Sequence, residues 1–123
     1  MFDIESFWKD ILEQNAEKLK GYFHENAYVN WHNTNEHFTA EEFIRANCEY
    51  PGKWAGEIER SVISGELIIT AVHVYGRDEA LSFHVTSFIH TKGDRIAAID
   101  EYWGDDGQPP QWRIDKHIGK PIR

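Results

Sequence analysis

Cysteine is nearly absent from this sequence. Cys48 stands alone, which excludes an internal disulfide and leaves no cysteine pair at metal-ligand spacing. Positive charge is also short. Thirteen Lys and Arg face 21 Asp and Glu, a formal charge of −8, whereas phosphate-backbone binding and docking on anionic lipid both need clustered cations. No nucleic-acid or membrane partner is therefore expected. No apolar run is long enough to span a bilayer. The opening MFDIESFWKD carries acids where a secretory leader has a basic flank. These absences together predict a cytoplasmic protein.

What the chain does have is aromatic surface: 14% of its residues, five of them Trp. Aromatic rings give large, stiff contact area, so they suit cavity walls and interfaces as well as cores. The length of 123 residues fits one domain that buries its own core without metal or disulfide staples.

Helical patterning comes first along the chain. Ile4, Phe7, Trp8, Ile11 and Leu12 form one stripe, predicting a helix over Phe2 to Gln14. Asn15 can cap a shorter second helix carrying Ala16, Leu19 and Phe23 on one face. Ala27 to His32 reads as extended. Thr39 and Glu42 then have capping-box spacing, with Phe38 and Phe43 placed as a hydrophobic staple, so a third helix begins near Ala40 and stops at Tyr50-Pro51-Gly52. From Trp54 to Trp103 the pattern is that of strands, turned at Ser64-Gly65-Glu66, Gly76-Arg77-Asp78 and Lys92-Gly93-Asp94-Arg95. Helices followed by a meander of strands imply an α+β fold. The Pro109-Pro110 tail should leave the sheet.

Alternation then assigns faces. A two-residue turn at Gly93-Asp94 sets Thr86 opposite Glu101. It puts His84, Thr86, Phe88, His90, Ile99, Glu101 and Trp103 on one face, joined by Glu57, Ser61, Thr70 and Val72. The other face takes Leu67, Ile69, His73, Tyr75, Phe83, Val85, Ile89 and Tyr102. Both are too apolar for water, and three short helices cover only one of them. One face is expected to enclose a cavity under the helices and the other to meet a second copy, which predicts a homodimer.

This order of elements, with its capped third helix and its closing GDRIAAIDEYWGDD, resembles the nuclear transport factor 2-like superfamily, and within it the SnoaL-like polyketide cyclase branch. The likeness runs from about Ile4 to Asp106 and rests on pattern. It implies an α+β cone of three N-terminal helices packed on a curved antiparallel sheet that encloses a pocket. Residues 1–123 would form one domain, with 104–123 a surface tail. In that family the closing strand points inward the positions matching Ile99, Glu101 and Trp103. The ketosteroid isomerase set of a Tyr and two Asp falls on Phe7, Trp31 and Thr86, so all three are missing. Of the Asp–Arg–Asp set of limonene-epoxide hydrolases, only Glu101 matches.

The expected function is that of a SnoaL-like pocket protein holding a small, mostly apolar or aromatic molecule, with no cofactor. Trp31, Trp54, Thr86, Phe88, His90, Ile99 and Trp103 would contact the ligand. Acid/base isomerisation, cyclisation or lyase chemistry would use Glu101 as acid or base with His84 as its partner, because burial raises a carboxyl pKa and a His–Glu pair can orient an imidazole. The plainer reading makes Glu101 a structural hydrogen-bond acceptor and His84 a satisfied core histidine. The non-catalytic alternatives are a ligand-binding domain and a dimeric protein-interaction module. His84, His90 and Glu101 are of metal-ligand type, but their spacing matches no motif and His73 faces away, so no metal is expected.

Overall fold

The computed structural model describes residues 1–78 and 80–123. The amphipathic stripe near the N-terminus becomes α1 (Ile4–Leu12), which the Asp3 carboxylate caps by accepting from the Ser6 backbone N–H. A short α2 (Ala16–Lys20) follows. Phe23, expected on its apolar face, instead opens the first strand, β1 (Phe23–Trp31). A four-residue β2 (Glu36–Thr39), too short to show an alternating pattern, leads into α3 (Ala40–Cys48). Both arms of the capping box are present, Thr39 accepting from the Glu42 N–H and Glu42 accepting from the Thr39 N–H. The flanking Phe38 and Phe43 both lie against Trp31, with ring centroids 4.8 and 6.2 Å away.

The long strands β3 (Trp54–Ser64), β4 (Leu67–Gly76), β5 (Ser82–Lys92) and β6 (Arg95–Asp105) complete the sheet, and an exposed α4 (Gln111–Asp115) lies in the tail. The curved sheet has the order β2-β1-β6-β5-β4-β3. Its ladders are antiparallel except one, since β1 runs parallel to β6 and pairs Trp31 with Glu101. Alternation within single strands carries no sign of that pairing. Gly65 and Gly93 take φ of +60° and +66° at the first central position of their two-residue hairpins, where a II′ turn requires glycine. At Gly56 an added Cβ would lie 2.5 Å from the His73 carbonyl oxygen, so only glycine permits this approach of β3 to β4.

The Gly93-Asp94 turn is two residues long as expected, but the register it sets does not persist. Lys92 pairs with Arg95 and Thr91 with Ile96, and then a β-bulge at Ala97 pairs His90 with Ala98. One extra residue inverts the relation of the strands beyond it. Ser87, not Thr86, therefore stands opposite Glu101. The inner face of β5 carries Phe83, Val85, Ser87 and Ile89, while His84, Thr86, Phe88 and His90 turn outward with Tyr102. A second bulge, at Glu59, pairs Ile58 with Val72 and Arg60 with Ala71, and so turns Glu57 outward beside His73.

The helices cover the inner face. Phe7, Trp8, Ile11, Leu19, Phe43, Val29, Val72, Val85, Ile89, Ile96 and Ile99 form the core. Trp8 reaches the buried Thr70 hydroxyl with its indole N–H at 3.2 Å. Among the described residues no buried side-chain polar atom lacks a hydrogen-bond partner.

Candidate functional site

The core does not fill the space beneath the helices. Between the C-terminal half of α1, α3 and the ends of β1, β3, β5 and β6 lies a cavity of about 250 Å³. It is lined by Ile11, Leu12, Gln14, Trp31, Asn33, Thr34, Ala46, Asn47, Tyr50, Trp54, Val74, Phe83 and Trp103. No Asp, Glu, Lys, Arg or His is among the lining residues. An arc of rings forms one wall: Tyr50 meets Trp54 at 5.3 Å, Trp54 meets Phe83 at 6.0 Å, Phe83 meets Trp103 at 6.1 Å and Trp103 meets Trp31 at 6.2 Å. Most of these contacts are edge-to-face, the arrangement that the ring quadrupole favours.

The polar side chains in the lining are mainly committed to the protein itself. Gln14 donates its amide to the carbonyls of Asn47 and Tyr50, tying the end of α1 to the end of α3. Asn47 donates to the Ile11 carbonyl. Asn33 accepts from the Trp103 backbone N–H at 2.7 Å.

Glu101 sits directly behind this wall. It points inward, as expected for the closing strand, and is only 2% exposed. One carboxylate oxygen accepts from the indole N–H of Trp31 at 2.9 Å and of Trp103 at 3.3 Å, and the other accepts from the Ser87 hydroxyl at 2.6 Å. Burial pushes its pKa above the ordinary carboxylate value, and the bonds from Ser87, Trp103 and Trp31 pull the other way without cancelling it. The carboxylate therefore acts on the cavity through the two indoles that screen it.

Trp31, Trp54 and Trp103 of the expected ligand contacts line the cavity. Ile99 points inward but is wholly buried in the core. Thr86, Phe88 and His90 lie on the outer face, as does His84, which the bulge at Ala97 separates from Glu101. Ile11, Leu12, Gln14, Asn47, Val74 and Phe83 were not foreseen. The helix stripe of Ile11 and Leu12 looks the same whether it meets a core or a void, and Phe83 was hidden by the register. His84 belongs instead to a group with His73, Ser82, Glu57, Glu59 and Asp106. The hydrogen bond to Asp106 raises the His84 pKa, burial opposes it, and the charges of Asp106 and Glu59 add to the rise.

A curved six-stranded sheet wrapped on one side around N-terminal helices and a cavity is the nuclear transport factor 2-like fold. Solved structures agree. A candidate ketosteroid isomerase from Kribbella flavida superimposes with a TM-score of 0.78 at 18% identity, covering 97% of this chain and 86% of that one. A nuclear transport factor 2-like protein of unknown function from Burkholderia xenovorans gives 0.77 at 16% identity, covering 98% and 92%. A candidate SnoaL-like polyketide cyclase from Shewanella putrefaciens gives 0.69 at 9% identity, covering 80% and 75%. No family model matches the sequence, and no curated protein matches it. Among the described residues no helix is long and apolar enough to cross a membrane.

Proposed function

We propose that this domain binds one small, mostly apolar molecule in the aromatic cavity. The observation that carries this reading is the lining itself: five aromatic side chains and no Asp, Glu, Lys, Arg or His, beside side-chain amides already bonded to the protein. Such a surface rewards an apolar ligand and offers no opposite charge to an ionised one. Glu101 serves as a positioning residue that fixes the indole planes of Trp31 and Trp103. Proton transfer by Glu101 would require an indole to swing aside, so the geometry favours binding over acid/base catalysis by this residue. The domain is further proposed to pair with a second copy through the outer sheet face, where Leu67, Ile69 and Phe88 stay partly open to solvent and Tyr102 is exposed.

Titration with a bicyclic aromatic probe such as naphthalene, followed by tryptophan fluorescence, tests the cavity. Saturable binding to the wild-type protein is expected, and loss of it in A46F, which fills the void from α3. Absent saturation, or unchanged affinity in a folded A46F, would overturn the reading. Sedimentation equilibrium of wild type and F88E tests the pairing: a dimer that F88E dissociates is expected, and a wild-type monomer at micromolar concentration would refute it.

A further inference from the structure

On the opposite side of the sheet from the cavity, three strands and the residue that follows β6 bring one row of side chains together. Glu57 of β3 pairs with His73 of β4, and His73 pairs with His84 of β5. The two imidazoles stack with centroids 4.7 Å apart and planes within 7°. We propose that His73, His84 and Glu59 form a binding site for one divalent transition-metal ion, with Glu57 as a fourth donor and Asp106 as the group that orients both histidines.

The hydrogen-bond network decides which ring nitrogens are free. Asp106 accepts from the Ser82 hydroxyl with one oxygen and faces His84 Nδ1 with the other, so His84 carries its proton on Nδ1. Ser82 has then spent its own hydrogen on Asp106, and its oxygen accepts from His73 Nε2 at 2.8 Å. The remaining lone pairs are on His84 Nε2 and His73 Nδ1, and both face β3. His84 Nε2 lies 3.4 Å from a Glu59 oxygen, and His73 Nδ1 lies 3.6 Å from a Glu57 oxygen. A carboxylate holding the far N–H of a ligating histidine is the usual outer support of a metal site, fixing tautomer and ring plane together.

The distances bring the donors within reach of one ion, but the rings lie in parallel planes, so one imidazole must turn out of the stack to aim its lone pair at the ion the other binds. Ligand atoms about 2.0–2.1 Å from zinc in a tetrahedron stand roughly 3.3 Å from one another, which the His84–Glu59 separation already matches. One ligand atom from each of Glu59, His73 and His84 lies within 4.8 Å of the others, and rotation of the His73 ring together with movement of the flexible Glu59 side chain closes the remainder. The bulge in β3 is what delivers Glu59: an extra residue re-aims a side chain that regular pairing would send elsewhere. Two imidazoles with carboxylates suit zinc and its neighbours in the first transition row, not magnesium or calcium, which prefer oxygen alone.

The test is calorimetric titration of the chelator-treated protein with zinc chloride, repeated for H73N, H84N and D106N, with thermal melting of each variant as a folding control. One ion per chain is expected. Affinity should fall at least tenfold in each histidine variant and about tenfold to a hundredfold in D106N. In the wild-type protein, zinc should shift the ring resonances of His73 and His84 but not those of His24 or His37. No stoichiometric uptake, uptake unchanged in H73N and H84N, or shifts confined to other histidines would each overturn the proposal and leave the row as an ion-pair network.

Discussion

Trp31 donates its indole N–H to Glu101 across a parallel strand pair, at 2.9 Å, in direct register between β1 and β6. Trp103 donates to the same oxygen from two residues further along β6. A single buried carboxylate thus sets two rings of the cavity's aromatic wall, and the consequences of removing it can be separated.

Glu101→Ala leaves two indole N–H groups and a serine hydroxyl without their acceptor in a dry environment. Destabilisation of roughly 3 kcal/mol is expected in urea denaturation. Glu101→Gln keeps one oxygen for the indoles and should cost much less. In ligand titrations E101A should weaken binding several-fold, and E101Q should remain near wild type. A large loss of binding in E101Q would show that the negative charge itself matters to the ligand.

The pH dependence of the same residue has a fixed sign. Because the folded pKa of Glu101 is raised by burial, its contribution is fully present below the unfolded value of about 4.3 and is lost as pH rises through the folded value. Melting temperatures of wild type and E101Q, compared at pH 5 and pH 7, should therefore shift in favour of Gln at the higher pH. A gap that moves the other way would mean the three donors outweigh desolvation.

Asp10 behaves oppositely. Burial would raise its pKa, but hydrogen bonds from Asn15 and Tyr22, with the charges of Lys18 and Lys9, hold it below the ordinary value. Its bond from the Tyr22 hydroxyl is 2.7 Å long, and the Tyr22 pKa is pushed up to about 12 by burial and by Asp10. The Asp10 contribution is complete above the unfolded value of about 3.9 and is lost as pH falls through the lower folded value. Asp10→Asn should therefore flatten the acid limb of the stability curve, a change visible in melting series below pH 5.

Thr39→Ala removes one arm of the capping box on α3. A loss of about 1 kcal/mol is expected in denaturant unfolding. Because α3 carries Ala46 and Asn47 into the cavity wall, ligand affinity should fall slightly in the same variant. Unchanged stability would mean that packing of Phe43 and Ile44 alone fixes the helix.

Much of this architecture is written in local chemistry. The α1 stripe, the box at Thr39 and Glu42 and the glycine hairpins each announce themselves through nearby residues. The inward turn of Glu101 and Trp103 was also legible. What could not be read was the effect of bulges. Ala97 looks like any small strand residue, yet its extra place in β6 moves His84, Thr86, Phe88 and His90 to the far face. Glu59 does the same to Glu57. Bulges and the parallel β1–β6 ladder are decided by pairing between distant segments, which alternation within one strand does not encode. The cavity is likewise a product of how helices sit over the sheet.

The central claim is that a ligand lies against the two indoles that Glu101 holds. The most direct measurement is a set of nuclear Overhauser contacts between a bound naphthalene and the Nε1 protons and ring protons of Trp31 and Trp103. Contacts to both tryptophans, together with Phe83 and Val74, are predicted. Contacts instead to Phe88 or Tyr102 on the outer face, with none to Trp31 and Trp103, would contradict the account.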